Sequence, residues 1–176
     1  MTSPITTASQ TIGPFFAVGL LRENGAKLFP DGAAGRRITV AGRVLDGEGI
    51  PVSDAMLELW QADASGKFAS GAYARSCPGF GRVHTGEDGA FAFESVMPGQ
   101  VEGQAAHVLV TVFARGLLGH VFTRIYFEGE EGLDADAVLK LAGERRGTLI
   151  AKRRDASRYD WDLVLRGKGE TVFLEV

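Results

Sequence analysis

Glycine-centred turn signals interrupt this chain so often that no long helix fits between them. Glycine supplies 24 of the 176 residues, against a usual share of roughly 7 %. Asp46-Gly47-Glu48-Gly49, Glu87-Asp88-Gly89 and Gly116-Leu117-Leu118-Gly119-His120 all mark turns. Glycine reaches positive φ without a Cβ clash, and Asp bonds its own backbone in a bend. Between the turns lie short runs with a period of two, the spacing of a strand that buries one face. Ile38, Val40 and Val44 alternate with Thr39 and Arg43, while Met56 to Gln61 is a second strand run, apolar on both faces except at Glu58. Arg82 to Thr85 and Ala90 to Phe93 flank the Asp88-Gly89 turn and predict a hairpin. His107 to Arg115 and Val121 to Phe127 predict another, and Leu149–Lys152, Tyr159–Leu165 and Thr171–Leu174 add three runs. One helix is predicted over Asp134 to Ala142, with Leu133, Ala137, Val138 and Leu141 as its apolar face and Gly143 as its stop. The expectation is an all-β chain: an antiparallel β-sandwich of about eight strands with an N-terminal arm and one short helix.

The domain reading follows. Residues 1–36 are an arm expected to contact a partner chain, and residues 37–176 are the sandwich. A hydrophobic share of 45 % and a charged share of 23 % describe an ordinary globule rather than a disordered chain. The net charge of −3 argues against nucleic acid or an anionic membrane as partner. The apolar run Phe15 to Leu21 is too short to span a bilayer. The first basic residue is Arg22, so a basic leader is missing ahead of that run and the cytoplasm is the expected compartment. Cys77 stands alone and cannot close an internal disulfide.

Spacing alone says little about chemistry. His84, His107 and His120 show no close metal-ligand spacing, and no Walker loop or G-x-S-x-G occurs. Asp160 and Asp162 fit either a carboxylate pair or two solvent-facing strand residues.

Several segments, in order, carry more. Thr11-Ile12-Gly13-Pro14-Phe15-Phe16 is followed by Leu57-Glu58-Leu59-Trp60-Gln61-Ala62-Asp63-Ala64-Ser65-Gly66-Lys67-Phe68. Then come Phe80-Gly81-Arg82-Val83-His84-Thr85, Met97-Pro98-Gly99, Ala106-His107 and Arg124-Ile125-Tyr126-Phe127. Together they resemble the intradiol ring-cleaving dioxygenases. Catalytic chains of that family hold a non-haem Fe(III) through two tyrosinates and two histidines, hard anionic oxygens and imidazoles suited to ferric iron. At the corresponding positions this chain has Phe68, Val101, His107 and Leu109. Three of the four lack a donor atom, and Gln104 replaces an Arg of the catalytic chains. The resemblance therefore implies a chain that binds no metal, with His107 retained as a relic rather than a ligand. It is similar to the iron-free chain of the family's two-chain members.

That resemblance implies a homologous partner chain that carries the Fe(III), paired units joined in a higher oligomer, and a small aromatic substrate at a shared site. No catalytic residue is expected in this chain alone. Thr11, Gly13, Pro14 and Phe15 would line the substrate entrance, and Arg115 would reach the site from a strand end. Gly13 allows close backbone approach, Pro14 stiffens it, and Arg115 would orient an anionic substrate. Phe15 stands where the family often has Tyr and lacks its hydroxyl. Three other readings fit the residues: a non-catalytic β-sandwich binding module, a self-sufficient dioxygenase, and an iron-free subunit for another catechol.

Overall fold

The computed structural model describes residues 19–21, 23–70 and 77–175. Nine strands carry the body: β1 Arg37–Leu45, β2 Met56–Gln61, β3 Phe80–His84, β4 Ala90–Val96, β5 His107–Phe113, β6 Val121–Phe127, β7 Ile150–Arg153, β8 Arg158–Asp160 and β9 Leu163–Val164. One helix, α1, spans Ala137–Ala142 and runs into a 3-10 turn over Gly143–Leu149. Among the described residues the chain is mostly β, with one short helix between strands, as its turn signals predict. Among the described residues no helix is long and apolar enough to cross a membrane.

Alternation decides which side chains enter the core. Ile38, Val40 and Val44 of β1 are buried, and so are Leu57 and Leu59 of β2 and Val108, Val110 and Val112 of β5. Their partners at odd register, Glu58, Trp60, Leu109 and Thr111, stay on the outer face. The main core joins these strands to Phe91 and Phe93 of β4 and to Val83, Ile125 and Trp161. Each such side chain contributes roughly 1.5–3 kcal/mol by leaving water. Leu28 and Phe29 belong to the same core, so the body begins within the stretch 1–36. Residues 1–18 of the expected arm, with Thr11, Gly13, Pro14 and Phe15, lie outside the described residues.

The pairing differs from a plain antiparallel sandwich in two ways. The strand order is β3-β2-β5-β6-β7-β8-β1-β4, with β9 beside β1. The β6–β7, β1–β8 and β1–β9 pairs are parallel. A parallel pair needs a long crossover, and the connection 128–149 with α1 supplies one between β6 and β7. Period-two alternation is blind to strand direction, so it cannot announce this. Second, β3 and β4 do not form the hairpin predicted around Asp88-Gly89. The turn itself closes, with Gly86 N donating to Ala90 O at 2.9 Å. Its two strands, however, go to opposite ends of the sheet, β3 onto β2 and β4 onto β1. That short connection draws the two ends together, so the sheet curls around its core.

The other hairpin forms as predicted, with β5 antiparallel to β6 from His107↔Tyr126 to Val112↔Val121. Three local expectations change. In α1 the buried anchor is Leu139, while Leu141 is 88 % exposed. Leu133 and Val138 of the expected apolar face do pack beside Leu139, and Asp136 caps this helix of 6 residues. The run Tyr159 to Leu165 breaks between β8 and β9, where Trp161 N donates to Ala41 O at 2.9 Å. Gly42 makes that approach possible, since a Cβ there would lie 1.6 Å from Trp161 O. Thr171 to Leu174 forms only an isolated bridge, Leu174 with Phe122. Asp160 pairs with Arg154 and Arg158, and Asp162 accepts from Arg43 N at 2.9 Å, so both carboxylates are structural.

Candidate functional site

Antiparallel register lines up residues across the outer face of β3, β2, β5 and β6. Phe80 lies opposite Trp60, Trp60 opposite Leu109, and Leu109 opposite Arg124. Directly opposed residues bring their Cβ atoms within about 5.5 Å. His107, two residues before Leu109 on β5, points to the same side and faces Tyr126 of β6.

Two loops complete the site. The loop after β2 turns at Asp63, whose Oδ1 accepts from Ser65 N and Lys67 N at 2.8 and 3.0 Å. It delivers Phe68 onto Trp60, with ring centroids 5.6 Å apart and planes 24° from parallel. Gly66 has φ +81°, and a Cβ there would sit 2.1 Å from Gln100 O. Only glycine lets this loop press against the next one, where Gly99 N donates to Asp63 O at 2.8 Å. That second loop carries Val101 in a tight turn, with Gln104 N donating to Val101 O at 2.8 Å. His107 and Leu109 thus share one face of β5, Phe68 stacks on Trp60 beside Leu109, and Val101 sits in the adjoining loop.

Beside His107 lies a buried polar network in which only Arg124 Nε lacks a hydrogen-bond partner. Arg124 Nη1 donates to Gln104 Oε1 at 2.7 Å and to Tyr126 Oη at 3.2 Å. The Tyr126 hydroxyl donates to Asp136 Oδ1 at 3.0 Å. Asp136 also accepts from Val138 N, Leu139 N and Ala105 N at 2.9, 3.1 and 3.0 Å. One buried carboxylate therefore caps α1 and fastens it to the strand entry at Ala105. Ala105 O in turn is 2.8 Å from His107 Nδ1. Burial alone would raise the Asp136 carboxyl, yet the N–H groups of Leu139 and Ala105, the Tyr126 hydroxyl and Val138 N hold it below its ordinary value. Burial pushes the Tyr126 phenol up to about 12, against the pull of Arg124. Burial also lowers His107, with Arg124 acting in the same direction. His107 is neutral and Tyr126 a phenol at neutral pH.

These residues do not fit a ferric ion. Phe68, Val101 and Leu109 have no lone pair to give, and a phenol as hard to ionise as Tyr126 is already committed to Asp136. Among the described residues, no group of three or more His, Cys, Asp or Glu stands where a metal could be held.

Arg115 lies elsewhere. Strand β5 has 7 residues, and Arg115 follows its far end, more than about 20 Å along the chain direction from His107. There its Nε donates to Asp54 Oδ2, with side-chain exposures of 72 % and 31 %. Phe68, Val101, His107 and Leu109 lie on or beside the β2–β5 face, and Arg115 lies beyond the other end of β5. Reasoning from residue types alone missed Arg124, Gln104, Tyr126 and Asp136 as a network. The available signal was the Asp-x-Val-Leu order at the helix start, which marks Asp136 as a cap.

The comparisons with known proteins agree with this geometry. A dioxygenase family profile, Dioxygenase_C, matches residues 12–167. The chain is 43 % identical to the protocatechuate 3,4-dioxygenase alpha chain of Burkholderia cepacia, with 100 % of both chains covered. It is 30 % identical to the protocatechuate 3,4-dioxygenase beta chain of the same organism, over 78 % of this chain and 67 % of that one. Among solved structures it is similar to the dioxygenase domain of a dioxygenase carbohydrate-binding protein fusion from Streptomyces sp. SirexAA-E. That likeness has a TM-score of 0.66 and 27 % identity, covering 90 % of this chain and 97 % of the other.

Proposed function

The chain belongs to the dioxygenase family whose profile spans residues 12–167, and from that premise we propose that it is the iron-free alpha subunit of a protocatechuate 3,4-dioxygenase. One observation carries the reading. A chain matching an alpha chain end to end has carbon side chains, Phe68, Val101 and Leu109, at the positions where the catalytic chains of the family carry metal donors. The polar network of Arg124, Tyr126 and Asp136 then stabilises that end of the sheet without a metal.

The reaction is insertion of both oxygen atoms of O2 between the hydroxylated carbons of 3,4-dihydroxybenzoate, giving 3-carboxy-cis,cis-muconate. Ferric iron in the homologous beta chain supplies the oxygen chemistry. This chain contributes binding and position. Thr11, Gly13, Pro14 and Phe15 form part of the entrance wall, and Arg115 draws in and orients the carboxylated catechol through its charge. Both chains fold on the same scaffold, and an obligate contact of this kind buries more than roughly 2,000 Å2. Ile12, Phe15, Phe16, Leu20 and Leu21 supply an apolar stretch suited to that contact.

Co-expression tests the reading. Alone, this chain is expected to self-associate and show no oxygen uptake on 3,4-dihydroxybenzoate. With the beta chain it is expected to give a soluble, active complex. A well-behaved monomer that ignores the beta chain contradicts it and favours a binding module instead.

A further inference from the structure

We propose that Asp54 is a positioning residue that aims the Arg115 guanidinium at the substrate carboxylate; this rests on the reading that Arg115 reaches the shared site. The pair joins two turns that flank a paired pair of strand ends. Met56, which opens β2, lies opposite Phe113, which closes β5. Asp54 sits in the turn two residues before Met56 and Arg115 in the turn two residues after Phe113, and there the ion pair forms. The pairing of the strand ends brings the two turns side by side.

Asp54 is also held firmly. Thr85 is 1 % exposed, and its hydroxyl donates to Val52 O at 2.7 Å while accepting from Ala55 N at 3.0 Å. Thr85 N donates to Ala55 O at 2.9 Å. The bend that carries Asp54 is therefore pinned on both sides by one buried residue.

The geometry of the contact matters most. Asp54 takes the Nε edge of the guanidinium, which leaves the two Nη groups for a second, bidentate acceptor such as a benzoate carboxylate. A free arginine would lose rotamer freedom on binding that acceptor, and Asp54 removes that freedom beforehand. Asp54 also offsets part of the charge, so position gains at the expense of long-range attraction.

The test is steady-state oxygen uptake by the assembled complex on 3,4-dihydroxybenzoate and on catechol, which lacks the carboxylate. Asp54→Asn is expected to lower kcat/KM for 3,4-dihydroxybenzoate by about two- to tenfold, the scale of ordering one long side chain. The loss should sit in KM, with kcat and the rate on catechol unchanged. Its salt dependence should steepen, because the Arg115 charge is no longer offset. Asp54→Glu should restore most of the loss. If Asp54→Asn matches wild type on both substrates while Arg115→Ala loses activity on 3,4-dihydroxybenzoate, Asp54 has no positioning role. If Arg115→Ala is itself silent, the placement of Arg115 at the shared site fails and this inference fails with it. Equal losses on both substrates would also overturn it, since they mark damage to the assembly rather than to carboxylate recognition.

Discussion

The two ends of β5 have diverged into opposite kinds of surface. At the His107 end, Arg124, Gln104, Tyr126 and Asp136 form a buried network beneath a helix, complete but for the unpartnered Arg124 Nε, with carbon side chains at Phe68, Val101 and Leu109. At the Phe113 end, Arg115 stands 72 % exposed with a single carboxylate beside it. The first end is built from carbon side chains and buried hydrogen bonds. The second contributes little to stability, since exposed ion pairs are worth about 0–1 kcal/mol, and its guanidinium faces solvent.

The sharpest way to break this contrast is to cut the buried network. Asp136→Ala removes the helix cap and leaves the Ala105 N–H and the Tyr126 hydroxyl without their acceptor. The expected loss is on the order of 3 kcal/mol, from one cap and two stranded donors. Urea unfolding of the complex against Asp54→Ala measures it, and the second variant should cost less than about 1 kcal/mol. Similar losses for both would erase the distinction.

Arg115→Ala probes the other end. Stability and iron content of the complex should be unchanged, while kcat/KM on 3,4-dihydroxybenzoate falls roughly ten- to a hundredfold, the worth of one charged hydrogen bond. Added salt should depress the wild-type rate more than the variant rate. A stability loss without a kinetic one would make Arg115 structural.

A smaller effect sharpens the comparison by pH. His107 is held neutral in the folded chain with its pKa below 6.5. As pH falls below the unfolded value of about 6.5, the unfolded chain gains a proton first. The stability tied to neutral His107 is complete above that pH and declines as pH falls toward the folded pKa. His107→Gln should flatten this slope in urea titrations between pH 7 and pH 5, leaving the Arg115 end unaffected. An unchanged slope would place the titration elsewhere.

How far the sequence reveals this molecule depends on how local each feature is. Strand β2 is legible as a short, nearly continuous apolar run, and the β5–β6 hairpin because alternation and a Gly116–Gly119 turn lie within one stretch of chain. That Phe68, Val101 and Leu109 stand at ligand positions is legible only through the family resemblance, not in the residue types by themselves. The fate of the Asp88-Gly89 turn is not, since its strands are claimed by β1 and β2, far away in sequence. Nor is the anchoring of α1, where Leu139 is buried and Leu141 is exposed. The Arg124 network joins a strand, a loop and a helix cap that meet only in the folded sheet. The same holds for Asp54 and Arg115, which become neighbours only once the register of β2 and β5 is set.

The central claim is that this chain carries no iron and works through a partner that does. Metal analysis with visible spectroscopy, on this chain alone and on its complex with the beta chain, tests it most directly. The account predicts a colourless chain without iron, and a coloured complex with one iron per pair of chains. A coloured preparation of this chain alone, with stoichiometric iron and a tyrosinate-to-iron band, would contradict it.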